Sequence, residues 1–176
     1  MWKVDIYLEA DSTFQGKKHR RCGYVLATQL RTGEKTKGGF GYTEGTYHQA
    51  ILKTLAEAFF RMNKPAEICV HTQDPYVNSR LLKLDEMADA GWRNSKGELI
   101  KNAAGWKEVH GQFHQHFPES HKISTKRGKH CYSMWIKEQL ETNEECERPM
   151  GSRMESAPRS GPKDPGIPGN NCPPGH

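Results

Sequence analysis

The sequence predicts an α/β domain built on a mixed five-stranded sheet, and three observations predict it. Apolar segments follow one another in the order strand, strand, strand, helix, strand, helix, helix, strand, helix. The first three strands follow one another with no helix between them, which suits an antiparallel meander. The later strands are separated by helical patterns and need crossovers, which suits parallel pairing.

Each element has its own signal. Val4 to Glu9 alternates apolar and polar residues and reads as a strand. A polar, basic loop, Asp11 to Arg21, leads to a second strand, Cys22 to Thr28. Arg31-Thr32-Gly33-Glu34 reads as a turn into a third strand, Lys35 to Tyr42, weakened by its glycines. Thr46 can cap a helix whose apolar stripe is Ile51, Leu52, Leu55, Phe59 and Met62, ended by Asn63-Lys64-Pro65. Ala66 to Thr72 is the fourth strand, and Tyr76 to Met87 a single helix. Gly91 to Asn102 is a basic loop, and Ala103 to His110 opens another helix. A short last strand is expected within His114 to Ile123, and a final amphipathic helix from Tyr132 to Glu141. Residues 142–176 turn rich in proline and glycine and hold few large apolar side chains, so they are expected to be a disordered tail behind a domain of residues 1–141.

The net charge is +5, and residues 1–141 alone carry +6. That surplus is compatible with phosphate binding without establishing it. No run of about 18 apolar residues exists, which excludes a helical membrane span and leads to a cytoplasmic expectation. Five cysteines, with no Cys-x-x-Cys pair, argue for scattered free thiols over a zinc or disulfide framework.

The element order and four local patterns together resemble type 1 ribonuclease H over nearly all of residues 2–141. The patterns are the opening strand ending in Glu9, the helix His48 to Phe59, the segment His71-Thr72-Gln73-Asp74-Pro75-Tyr76-Val77, and Gly91-Trp92 followed by Lys101-Asn102 and Trp106. The ending Lys129-His130-Cys131-Tyr132-Ser133-Met134-Trp135 is similar to a divergent bacterial branch with a glutamate as first ligand.

The resemblance implies a ribonuclease H-like sheet and, in active members, hydrolysis of the RNA strand of a hybrid by two Mg²⁺ ions about 3.5–4 Å apart. Such a pair needs a cluster of carboxylates, since Mg²⁺ takes hard, charged oxygen ligands. The family places acids on the first strand, the first helix, the end of the fourth strand and the last helix. Here those positions read as Glu9, Ile51, Gln73, and a place near Ile136 or Lys137. One acid of four remains. The site is therefore expected to be degenerate: no catalytic set intact, Glu9 alone as a weak metal ligand, and no cofactor. If activity persists, Glu9, Asp74 and either Asp11 or His130 would carry it with Mg²⁺ or Mn²⁺; a histidine shuttles protons in active relatives.

The resemblance also implies that Lys17 and Lys18 in the first loop, and Trp92, Arg93, Lys96 and Lys101 in the handle region, border a groove for an RNA/DNA hybrid or structured RNA. His114 and His116, with His121 or His130, are too irregularly spaced to make a zinc motif. Three functions stay open: a nucleic-acid-binding pseudoenzyme, which is preferred, an active divergent nuclease, and a protein-interaction scaffold.

Overall fold

A computed structural model describes residues 2–116 and 122–151. Its strands are β1 (Trp2–Ala10), β2 (Lys18–Leu30), β3 (Gly33–Gly45), β4 (Ala66–Thr72) and β5 (Lys122–Arg127). Its helices are α1 (Tyr47–Arg61), α2 (Pro75–Leu81), α3 (Leu84–Asp89), α4 (Ala103–His116) and α5 (Ser133–Thr142), followed by a 3-10 turn at Glu144–Glu147. The sheet order is β3-β2-β1-β4-β5. β1 pairs antiparallel with β2 and parallel with β4, and β5 extends the parallel side. The mixed sheet is as predicted.

Period-two alternation divides the two faces of β1. Ile6, Leu8 and Ala10 join the larger core, which α1 and α4 cover with Ile51, Leu52, Leu55, Phe59, Trp106 and Phe113. Tyr7 joins a smaller core on the opposite face, under Tyr132, Ile136 and Leu140. Glu9 shares the parity of Tyr7 and so lies on the α5 side. α1 begins with a capping box: Thr46 Oγ1 accepts from Gln49 N–H, and Gln49 Oε1 accepts from Thr46 N–H at 2.9 Å.

Four expectations change. The helix expected from Tyr76 to Met87 is two short helices, broken at Leu82 and Lys83. The last strand begins at Lys122, because α4 runs on to His116. β2 begins at Lys18, inside the segment read as a loop. Residues 142–151, assigned to the tail on composition, continue the domain. Cys146 is buried, Tyr42 N–H donates to Arg148 O at 2.9 Å, Met150 N–H donates to Tyr42 O at 2.6 Å, and Met150 joins the larger core. The rest of the expected tail, 152–176, lies outside the described residues.

Gly41 makes that last docking possible. A Cβ there would sit 2.8 Å from both Met150 Cα and Met150 N, and these are backbone atoms that cannot swing aside. Gly41→Ala is expected to displace residues 148–150 and lower stability by about 1–3 kcal/mol. A urea midpoint equal to that of the unmodified chain would show that the contact carries no stability.

Candidate functional site

β1 and β4 run parallel, with Tyr7 opposite Cα of His71. Two residues further on, at the same ends of both strands, stand Glu9 and Gln73. The N-terminus of α5 crosses above them and the first turn of α1 flanks them. Glu9 is 2 % exposed, and its carboxylate is enclosed by donors. Gln73 Nε2 donates to Oε1 at 2.8 Å and to Oε2 at 3.0 Å. Ser133 Oγ donates to Oε1 at 2.6 Å and accepts from His130 N–H at 3.0 Å. His130 Nε2 lies 3.3 Å from Oε1 and 3.2 Å from Leu8 O. Both neighbours of that nitrogen are acceptors, so Nε2 carries the proton. The His130 Nδ1 atom is buried without a hydrogen-bond partner.

Burial raises the pKa of Glu9. The hydrogen bonds from His130, Ser133 and Gln73 outweigh that effect and leave the group below the usual carboxylate range. It is therefore an anion at neutral pH, neutralised by protein dipoles and hydrogen bonds.

Asp74 is fully buried but engaged elsewhere. Its Oδ1 accepts from Tyr76 N–H at 3.0 Å, capping α2, and its Oδ2 lies 2.6 Å from His48 Nδ1. Asp11 accepts from Arg21 N–H at 3.1 Å across the first loop. Neither has a hydrogen bond into the Glu9 group among the described residues. Ile51 is fully buried in the core against the sheet; the α1 side chain that turns to this end of the sheet is His48, one turn earlier. On α5 the residue that meets Glu9 is Ser133, not Ile136, which is in the core, nor Lys137, which is exposed.

A polar strip continues along the same face. His71 Nε2 lies 2.8 Å from Asp5 Oδ1, and its ring stacks on Tyr7 at 4.4 Å. Burial works against charge on both Cys69 and His71. The hydrogen bond between them, together with Ser124 and Asp5, prevails, lowering the thiol and raising the imidazole. Cys22, Cys69 and Cys146 are free thiols. Cys172 lies outside the described residues.

The basic candidates differ in how they are held. Lys17, Lys18, Arg93, Lys96 and Lys101 are exposed. Trp92 is half-buried, packs on the larger core and meets His110 edge-on, with ring centroids 5.5 Å apart. Its φ of 61° is left-handed, a conformation fixed by Trp92 N–H to Met87 O and Ile100 N–H to Trp92 O. Arg93 reaches back to Gly97 O at 2.8 Å. Arg20, which the sequence groups with the basic loop, is fully buried. Of the expected histidine cluster, His121 and the side chain of His116 lie outside the described residues.

This strand order, with a polar centre at the ends of β1 and β4 beneath α5, defines a ribonuclease H-like domain. No protein-family model matches the chain. Among curated proteins it is similar to "Ribonuclease H" of Legionella pneumophila (strain Corby), at 27% identity over 125 residues, covering 68% of this chain and 85% of the relative. It is also similar to "Ribonuclease H" of Herminiimonas arsenicoxydans, at 29% identity over 111 residues, covering 62% and 73%. Among solved structures, LC9-RNase H1, described as a type 1 RNase H with the type 2 active-site motif, superposes with a TM-score of 0.60 at 16% identity, over 78% of this chain and 70% of that one. The foamy viral protease-reverse transcriptase in complex with RNA/DNA hybrid gives 0.52 at 15% identity, over 72% of this chain and 17% of that one. The chain has the ribonuclease H-like fold and is similar in sequence to curated ribonucleases H. Among the described residues no helix is long and apolar enough to cross a membrane.

Proposed function

We propose that this chain is a ribonuclease H-like domain that binds nucleic acid and does not cleave it. The observation that carries this reading is the enclosure of Glu9. A two-metal centre holds four positive charges at close range and needs several carboxylates to do so. Here the buried carboxylate of Glu9 meets the NH₂ of Gln73, the hydroxyl of Ser133 and the N–H of His130, while Asp74 is held by Tyr76 and His48. Each of the three Glu9 partners points a positive hydrogen at the oxygens a cation would need. The donor set does not fit Mg²⁺ or Mn²⁺, so no hydrolytic step is derived through either.

Binding is supported by the exposed cations on the first loop and on the segment 90–102, where Lys17, Lys18, Arg93, Lys96 and Lys101 reach solvent. It is supported also by the foamy-virus neighbour, whose structure holds an RNA/DNA hybrid.

The test is a labelled RNA/DNA hybrid titrated with the full chain at several salt concentrations, with cleavage read in the same tubes in Mg²⁺ and in Mn²⁺. The expected result is binding whose logarithm falls with log salt, by about 0.9 per neutralised phosphate if the ligand behaves as duplex DNA does. Lys96→Gln should reduce that slope by about 1 without changing sequence preference. No strand scission is expected. Metal-dependent cleavage that Glu9→Gln abolishes would overturn the reading, and absence of binding at low salt would favour a protein scaffold.

A further inference from the structure

Away from the Glu9 centre, α3 and α4 bring together three side chains of another chemistry. His110 and His114 stand one turn apart on α4, on the same helical face. Their rings are 4.1 Å apart between centroids. Both present Nε2 to one oxygen, Asp85 Oδ1 from α3, at 3.7 Å and 3.0 Å. One ligand atom from each of the three residues lies within 4.8 Å of the other two.

We propose that Asp85, His110 and His114 form a binding site for a zinc-class transition-metal ion. Zinc binds imidazole nitrogen and carboxylate oxygen at about 2.0–2.2 Å, so neighbouring ligands in a tetrahedral shell stand about 3.3–3.5 Å apart. The two separations from Asp85 Oδ1 fall on either side of that spacing. A separation of 3.7 Å is too long for a good hydrogen bond, and it is suitable for two ligands sharing one ion. Two imidazoles with one carboxylate select Zn²⁺, Co²⁺, Ni²⁺ or Cu²⁺ and not Mg²⁺ or Ca²⁺, whose preferred ligands are all oxygen. The three side chains are 27%, 35% and 57% exposed for His110, His114 and Asp85. An ion can therefore enter from solvent and keep water or another small ligand in its fourth position.

The site also has a structural consequence. α3 and α4 flank the segment 90–102, and the indole of Trp92 rests edge-on against His110. An ion bridging Asp85 to the two histidines ties both ends of that segment together. The cations Arg93, Lys96 and Lys101 are then carried on a closed strap.

The experiment is calorimetric titration of the chelator-treated full chain with Zn²⁺, paired with the visible spectrum on adding Co²⁺. One saturable zinc site per chain is expected. The Co²⁺ spectrum should show the visible absorption of a low-coordinate site and lack a near-ultraviolet thiolate band. His110→Gln and His114→Gln replace half-buried residues of α4 and are expected to keep the fold, which far-ultraviolet circular dichroism checks. Each should weaken binding at least about 100-fold, the upper end of what losing a mere outer-shell partner does. Cys69→Ser, which alters the separate group of Asp5, Cys69 and His71, should leave it unchanged. Absence of saturable binding, binding that survives His114→Gln, or binding lost in Cys69→Ser would each overturn the proposal.

Discussion

Arg20→Met is expected to lower the unfolding free energy by about 3–5 kcal/mol. The guanidinium of Arg20 is completely buried and acts as the hub of the β1–β2 loop. Its Nε donates to Gly45 O at 3.0 Å, its Nη1 to Ser12 O at 3.0 Å, and its Nη2 to the carbonyls of Phe14 and Gly16. Methionine keeps the apolar stem and removes all of these donors. The four carbonyls then lose their shared donor, and the loop loses the group that gathers it or opens further to water. Either route costs more than the net value of a hydrogen bond, because a charged donor is involved and several acceptors lose it at once. Arg20→Lys should recover only part of the loss, since an ammonium cannot span the same fork of acceptors. The urea midpoints of the three proteins decide the matter. A methionine variant within about 1 kcal/mol of the unmodified chain would mean that the loop holds itself. Because Lys17 sits at the mouth of this loop and Lys18 opens β2, hybrid binding should weaken in the same variant.

The second large effect is expected at Gln73. Gln73→Glu is nearly isosteric and sets a carboxylate where an amide now donates to Glu9 at 2.8 and 3.0 Å. Two carboxylates at that distance cannot both ionise without a counter-charge, so one pKa of the pair rises strongly. A group whose folded pKa is raised stabilises at low pH and loses that contribution as pH climbs. The variant should therefore be close to the unmodified chain near pH 4 and about 2–4 kcal/mol less stable near pH 7. Mg²⁺ or Mn²⁺ at neutral pH should restore part of the loss, because the paired acids then offer a cation what the amide denied it. A variant with an unchanged pH profile and no response to either ion would mean that Glu9 is not held as an anion by the Gln73 amide. Thermal unfolding from pH 4 to pH 8, with and without each ion, measures both.

Much of this architecture can be read from residue order, because alternation and capping are local signals. β4 matches its predicted span from Ala66 to Thr72, and Thr46 caps α1 as expected. Glu9 and Gln73 were legible too, since parallel strands of known order place their ends together. What was hidden is tertiary. Arg20, Cys22 and Tyr24 share one face of β2 by simple alternation, yet a run of basic residues looks like a solvated loop until carbonyls close around it. Ser133 and His48 carry no local signal of their place, because the pitch of a helix past a strand end is set by packing, and a shift of one turn moves the facing residue by three or four places. Ile51 and Ile136 each stand one such shift away from them. Asp85 was invisible as a partner of His110 and His114, since the chain between them folds back through the segment 90–102.

The docking of residues 148–150 has a meaning for the outside of the molecule. β3 is a long outer strand, and the amide and carbonyl of Tyr42 face away from β2. Left bare, such a border invites a strand from a neighbouring molecule to add on. Arg148 and Met150 fill it from the same polypeptide, and Pro149, standing opposite Tyr42, has no N–H with which to propagate the ladder. At Tyr42 the border of the sheet is thereby occupied by the chain's own later residues, and a strand from outside would have to displace them to pair there.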